Sequence, residues 1–161
     1  MSILRGIGRT VEMTRPNNTT AYTANDVIGH VTGTSALEFK NVGLPGRPII
    51  ITDVNLRIDL SAVTSGMTQF RLHLYSATPP SALADNAAFD IPAGDRAYYL
   101  GYVDLATPTD LGSTLYSQNT SINKGVTLFS TSLFGYLVTI GGFTPGASTV
   151  KSISLVATGE M

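Results

Sequence analysis

The side chains best suited to proton transfer are two histidines, His30 and His73, and a set of aspartates between Ala77 and Arg96. General acid–base chemistry needs a titratable group held against a partner that tunes it. His73 follows Arg71 in an alternating run, which reads as a solvated or subunit-facing strand position. His30, beside Gly29 in a second expected strand, reads the same way. Asp85, Asp90 and Asp95 offer hard oxygen ligands of the kind Ca²⁺ takes, in a Gly-containing loop, and are the metal candidates. Their spacing departs from the EF-hand pattern, and loop aspartates commonly bond their own backbone to shape turns. Arg96 beside Asp95 equally suits a salt bridge that fixes the loop end.

Other chemistries find less to work with. The chain has no cysteine, which excludes disulfides, thiolate catalysis and Cys-based zinc sites. No G-x-S-x-G elbow is present. Neither Gly6-Ile7-Gly8 nor Gly141-Gly142-Phe143 has the length of a phosphate loop or the helix that must follow one. Tyr75, Tyr98, Tyr99, Tyr102 and Tyr116 could offer stacking faces to a glycan, but there is no Trp, and strand tyrosines also serve core edges and subunit contacts. Basic residues are scattered and the net charge is −1, so nucleic acid and anionic membrane are not expected partners. No cofactor and no enzymatic activity are expected.

These residues must be positioned by strands. Between Pro48 and Tyr75 two alternating runs stand out. Ile50, Thr52, Val54, Leu56, Ile58 and Leu60 share one parity, and Asp53, Asn55, Arg57 and Asp59 the other. Phe70, Leu72 and Leu74 then oppose Gln69, Arg71, His73 and Tyr75. With Ser65-Gly66 between them, the two runs predict an antiparallel hairpin with one apolar and one polar face. Further strands are expected at Thr10–Arg15, Val27–Val31, Ala36–Lys40, Tyr98–Leu105, Thr114–Ser117, Val126–Ser130 and Thr149–Ala157. Leu133–Ile140 is apolar on both faces and predicts a central, doubly covered strand. Asn119–Gly125 reads as a hairpin connection. Ala77–Arg96 is a long loop with room for a short helix at Ser81–Ala88, limited by flanking prolines.

At 161 residues, 43% hydrophobic and only 13% charged, the chain predicts one all-β domain with polar uncharged surface. About eight to nine short strands predict an antiparallel β-sandwich, jelly-roll-like, over residues 10–161. Residues 1–9, with Arg5, Gly6 and Gly8, read as a flexible arm. The N-terminal ten residues are too short and interrupted for a signal-peptide apolar region, and no run is long enough for a membrane helix.

The segment TRPNNTTAYTANDVIG (Thr14–Gly29) resembles the opening of a family of small tailed-bacteriophage virion proteins with R-P-x-N-T-T-A-Y before D-V-I/V-G. The likeness continues in FRLHLYSATPP, in SALADNAAFDIPAGDRAYYLGYVDL, in LFGYLVTIGGFTPGAS and in the closing strand. It implies a virion structural protein of the head decoration or cement type, on the outer capsid surface. Such a protein is assembled in the host cytoplasm, bound to the major capsid protein and to itself as a homotrimer. A tail or baseplate accessory, or a receptor- or glycan-binding module, is the alternative. The family carries no catalytic residues. Arg5, Arg9, Arg15, Arg57, Arg71 and His73 are the candidate capsid or subunit contacts, with Met1–Arg15 as the segment that reaches a neighbour.

Overall fold

The computed structural model describes residues 4–160. Met1–Ile3 of the expected arm lie outside the described residues. Eleven strands follow one another: β1 (Leu4–Thr14), β2 (Val27–Ile28), β3 (Leu37–Phe39), β4 (Pro48–Ile58), β5 (Phe70–Tyr75) and β6 (Tyr99–Leu105), then β7 (Thr109–Asp110), β8 (Leu115–Asn119), β9 (Lys124–Thr127), β10 (Leu133–Thr139) and β11 (Val150–Glu160). They form two antiparallel sheets. One runs β1-β11-β4-β8-β7 with β9 also on β4; the other runs β2-β10-β5-β6 with β3 also on β10.

The pairing is nested. β8 and β9 line successive stretches of β4, and β2 and β3 line successive stretches of β10. Counting each as one strand position, the first pairs the last (β1 with β11), β2/β3 pair β10, β4 pairs β8/β9, and β5 pairs β6. This is the connectivity of a jelly roll, two Greek keys wrapped into facing sheets. The expected all-β sandwich is therefore the fold, and the larger strand count comes from split positions and the two-residue β7.

The core lies between the sheets. From one side come Ile51, Val54, Leu56, Ile58, Ile153 and Leu155, and from the other Phe70, Leu72, Leu74, Leu133 and Leu137, all 0% exposed. β10 is buried on both faces, as its double-sided apolar sequence predicts.

Five expectations are corrected. Pro48–Tyr75 is not a hairpin: β4 pairs β11, β8 and β9, whereas β5 pairs β10 and β6 in the opposite sheet. The chain from Asp59 to Gln69 crosses the end of the sandwich, so the two apolar faces meet across the core instead of lying side by side. The alternation is satisfied equally by either arrangement, since period two reports facing and not partner. The apolar ridge is also broken. A register shift sets Val156 opposite Asp53 but Ala157 opposite Ile51, leaving Thr52 as an extra residue. Such a bulge inverts the facing of everything before it. Ile49 and Ile51 therefore point inward while Ile50 is 43% exposed.

Leu4–Arg9, expected in a flexible arm, pair residue by residue with β11. Asn119–Gly125 is not a hairpin turn; residues 120–123 are a protrusion between two segments that continue along the same strand. Ser81–Ala88 forms turns and no helix. Both flanking prolines and left-handed backbone at Ala82 and Asn86 explain this.

Candidate functional site

The two outer sheet faces differ. That of the β2-β10-β5-β6 sheet is covered by the chain itself. Residues 76–98 leave β5 and return to β6, with the loop ends tied by the Ser76 N–H donating to the Tyr98 carbonyl at 2.9 Å. The loop folds back on the sheet and adds to its edge: Val27 N–H donates to the Ala87 carbonyl, Asn86 N–H to the Val27 carbonyl and Phe89 N–H to the Asn25 carbonyl. Beneath it lie Val27, Tyr75, Tyr136 and Val138 with Leu83, Phe89, Tyr98 and Tyr99, a second apolar cluster separate from the core. The Leu83 N–H donates to the Tyr136 hydroxyl at 3.0 Å.

This loop changes the meaning of His73. Instead of standing on a solvated polar face, it is 6% exposed, with the Phe89 ring stacked on it at 3.7 Å. Its Nδ1 lies 2.9 Å from the Tyr99 hydroxyl. Burial first, and the Arg71 charge second, hold its pKa down to about 4. As a surface contact candidate it is excluded by this burial. Arg71 beside it stays at the rim. Its guanidinium grips Asp104 on β6 through two bonds of 2.6 and 3.2 Å and lies 3.9 Å from the Tyr102 ring centroid. The hydrogen bond to Asp104 raises the Arg71 pKa. Changing Asp104 to alanine should cost about 0.5–1 kcal/mol in urea unfolding, since the pair is partly exposed. It should also release the Arg71 side chain from Tyr102, visible as a shift of the Tyr102 ring resonances. Tyr102 is 47% exposed and is the one expected stacking face that remains open; Tyr75 is buried and Tyr98, Tyr99 and Tyr116 are half-buried.

Arg15 is the other contact candidate that burial removes, at 1% exposed. Its Nε donates to the Tyr22 hydroxyl at 2.8 Å, and its terminal nitrogens to Asn18 and to the Thr20 carbonyl. Asp85 completes the knot from the long loop. It lies 3.7 Å from Arg15, accepts from the Tyr22 hydroxyl at 2.6 Å and from the Gly29 N–H at 2.8 Å. Burial and then the hydrogen bond to Asp85 push the Tyr22 pKa up. A side chain at position 29 would bring Cβ to 2.6 Å from the Asp85 backbone, so glycine there permits the close approach. Lys151, 2% exposed, has its pKa lowered to about 8, by burial first and by Arg15 second.

The three metal candidates therefore serve separately. Asp85 answers a buried arginine, Asp95 accepts from Ser81 N–H at 3.1 Å and from the Ser81 hydroxyl, and Asp90 accepts from Ile91 N–H. Among the described residues no three His, Asp or Glu side chains gather closely enough to hold a metal. His30 stands between two open hollows of about 290 and 400 Å³, lined mainly by hydroxyl, amide and backbone groups, with its Nδ1 accepting from Thr32 N–H at 3.3 Å.

The outer face of the other sheet is bare among the described residues. Register sets its side chains in transverse rows. One row is Gly6, Thr158, Ile50 and Gly125; beside it stand Gly8, Val156 and Asp53. Next come Thr10, Ser154, Asn55 and Gln118, then Glu12, Ser152, Arg57 and Tyr116. Thr10 and Ser154 hydroxyls share a 2.7 Å bond and Ser152 donates to Glu12 at 3.2 Å. Beside Ile50 a hollow of about 280 Å³ is framed by Pro48, Thr158 and the Arg47–Glu160 pair, which meets at 3.4 Å. Of the expected contacts, Arg5 and Arg57 are exposed on this sheet, and Arg9 bonds the Lys40 and Asn41 carbonyls at 2.6 and 3.0 Å. The glycine pair flanking inward-facing Ile7 was the available sequence signal for this face.

The molecule is therefore a jelly roll with one sheet covered by its own loop and, among the described residues, the other bare. No protein-family model matches the sequence, and no curated protein matches it. Solved structures match at low similarity. A chain of the Israeli acute paralysis virus full particle, heated to 63 degrees, is 15% identical, with TM-score 0.29, 96% of this chain and 71% of that chain covered. A chain of the acid-stable capsid of Helicobacter pylori bacteriophage KHP30 is 12% identical, with TM-score 0.29 and coverage of 97% and 93%. A bacterial lipoprotein from Bacteroides thetaiotaomicron is 8% identical, with TM-score 0.37 and coverage of 97% and 84%. These values are too low to carry a role, and the fold rests on the strand pairing itself.

Proposed function

We propose that this chain is a structural protein of a bacteriophage virion, a decoration (cement) protein without catalytic activity that holds the major capsid protein on the outer capsid surface. It is assembled there in the host cytoplasm. The resemblance of Thr14–Gly29 and the later segments to small phage virion proteins supports this reading.

The observation that carries it is the open edge of β1. Among the described residues this strand is paired along all 11 residues on one side only, at the end of its sheet. Antiparallel pairing alternates between residues that bond the neighbour and residues that point away. The Arg15 N–H bonds Thr149 on the β11 side, while the Thr14 carbonyl faces out and accepts from Val31. By that alternation Gly6, Gly8, Thr10 and Glu12 present their backbone groups outward, the Gly8 carbonyl accepting from the exposed Arg9 guanidinium at 3.0 Å. A long open edge takes up an extended segment of another chain by main-chain bonding, which clamps two subunits without any pocket.

Proline at Thr10 removes an outward N–H and leaves the β11 ladder whole. The Thr10→Pro variant should keep the β circular dichroism spectrum yet fail to bind purified, tailless heads that the unaltered protein coats in many copies. Absence of the unaltered protein from tailless heads, measured by gel densitometry, would reject the capsid reading. It would favour the tail or glycan-binding alternative, for which exposed Tyr102 beside Arg71 and Asp104 is the supporting feature.

A further inference from the structure

We propose that the bare sheet face is the interface between two copies of this chain, packed face to face about a two-fold axis that lies across the strands. The inference is independent of the virion reading. The face tapers along its two margins. On β1 and on the β9/β8 position the outward residues run from Gly6, Gly8 and Gly125 at one end to Glu12 and Tyr116 at the other, while Thr158 and Ile50 stand between the glycines and Ser152 and Arg57 between the larger side chains. Glycine in a strand weakens it and needs a reason. None of these three has a left-handed φ, and a Cβ on any of them would meet nothing within 4 Å. The reason therefore lies outside the monomer, in something that approaches the backbone closely.

A second copy supplies the matching shape. Two such faces mate at both margins only when the larger side chains lie on the glycines. A two-fold axis across the strands does this: it keeps each strand over its own counterpart and reverses the order of the rows. Tyr116 of one copy then covers Gly125 of the other, and Glu12 covers Gly6. Arg57 lands on Ile50, whose side chain is otherwise 43% exposed, and its charge arrives between Asp53 and Glu160. Each such contact occurs twice. A two-fold along the strands would set Glu12 on Tyr116 and Gly6 on Gly125, bulk on bulk and glycine on glycine. The size also suits a dimer. The face spans about 35 Å along the strands and about 20 Å across four of them, so about 700 Å², against about 800 Å² per partner in a standard interface.

An isologous pair of this kind is a dimer and does not generate the trimer that the family resemblance implies. The unaltered chain at tens of micromolar should therefore sediment as a dimer. Gly6→Lys with Gly125→Lys should shift it to monomer with the same far-ultraviolet spectrum, because both positions open into free space. The chain has no cysteine, which makes cross-linking clean. Within one chain positions 116 and 125 pair with Arg57 and Ile50, too far apart along β4 to join. The Tyr116→Cys/Gly125→Cys variant should form disulfide-linked dimers under mild oxidation. A monomeric unaltered chain, a trimer insensitive to the lysine changes, or linkage through Gly6→Cys/Gly125→Cys in place of 116 and 125 would each overturn the proposal.

Discussion

The Asp85→Ala variant should lose about 3–5 kcal/mol of stability, because it leaves the Arg15 guanidinium charged, buried and without its counter-ion. The same change strips the Tyr22 hydroxyl and the Gly29 N–H of their acceptor. Breaking one half of a buried pair costs more than replacing both halves by apolar groups, since the leftover charge keeps its desolvation penalty. The double variant Arg15→Met/Asp85→Leu should therefore recover much of the loss, as a shift of the urea midpoint back toward that of the unaltered chain. A midpoint unmoved by Asp85→Ala alone would show that the knot contributes nothing. The long loop should respond first. Asp85 is its anchor to the N-terminal segment, so amide exchange in residues 81–90 should accelerate before the core does.

Acidification should weaken the fold through His73. Its ordinary pKa is about 6.5 and in the folded chain it lies near 4. A base whose folded pKa is depressed stabilises the fold fully above its unfolded value, because both states are then neutral there. As pH falls from 6.5 to 4 the unfolded chain takes up the proton and the folded chain does not, so stability is lost across that window. The full loss is about 3 kcal/mol. The charged groups nearest His73 are Arg71 and Asp104, which push in opposite directions, while Phe89, Tyr99 and Tyr102 surround the ring. A His73→Phe variant keeps a ring against Phe89 and removes the titration. Urea unfolding at pH 7 and pH 4 should show the unaltered chain losing about 3 kcal/mol more than this variant. Equal losses would mean that His73 is not the acid-sensitive group.

Alternation made the inward residues of β5 and β11 legible, because Phe70, Leu72, Leu74, Ile153 and Leu155 obey the period of an unbroken strand. It could not reveal that β4 and β5 belong to different sheets, since facing and partner are separate properties of a strand. It also failed at Thr52, where an extra residue reverses parity without any glycine or proline to announce it. Arg15 and Asp85 looked like surface charges because their meeting joins residues far apart in the chain. His73 looked solvated because the loop that covers it begins only after β5 ends. The bare face was half legible: Gly6 and Gly8 were noticed, but their reading as a flexible arm missed that Ile7 between them is buried.

The nested pairing also fixes an order of events during synthesis. β5 and β6 close over a loop of moderate length, but β1 must find β11, with Thr10 and Ser154 separated by 144 positions. Closing longer loops costs more chain entropy, and chains dominated by distant contacts fold slowly, in milliseconds to seconds. Until β11 is made, β1 lacks its partner and β4 lacks one of its neighbours. The β1 edge is thus completed only once β11 has docked beside it, so a chain truncated before β11 has no finished edge to offer.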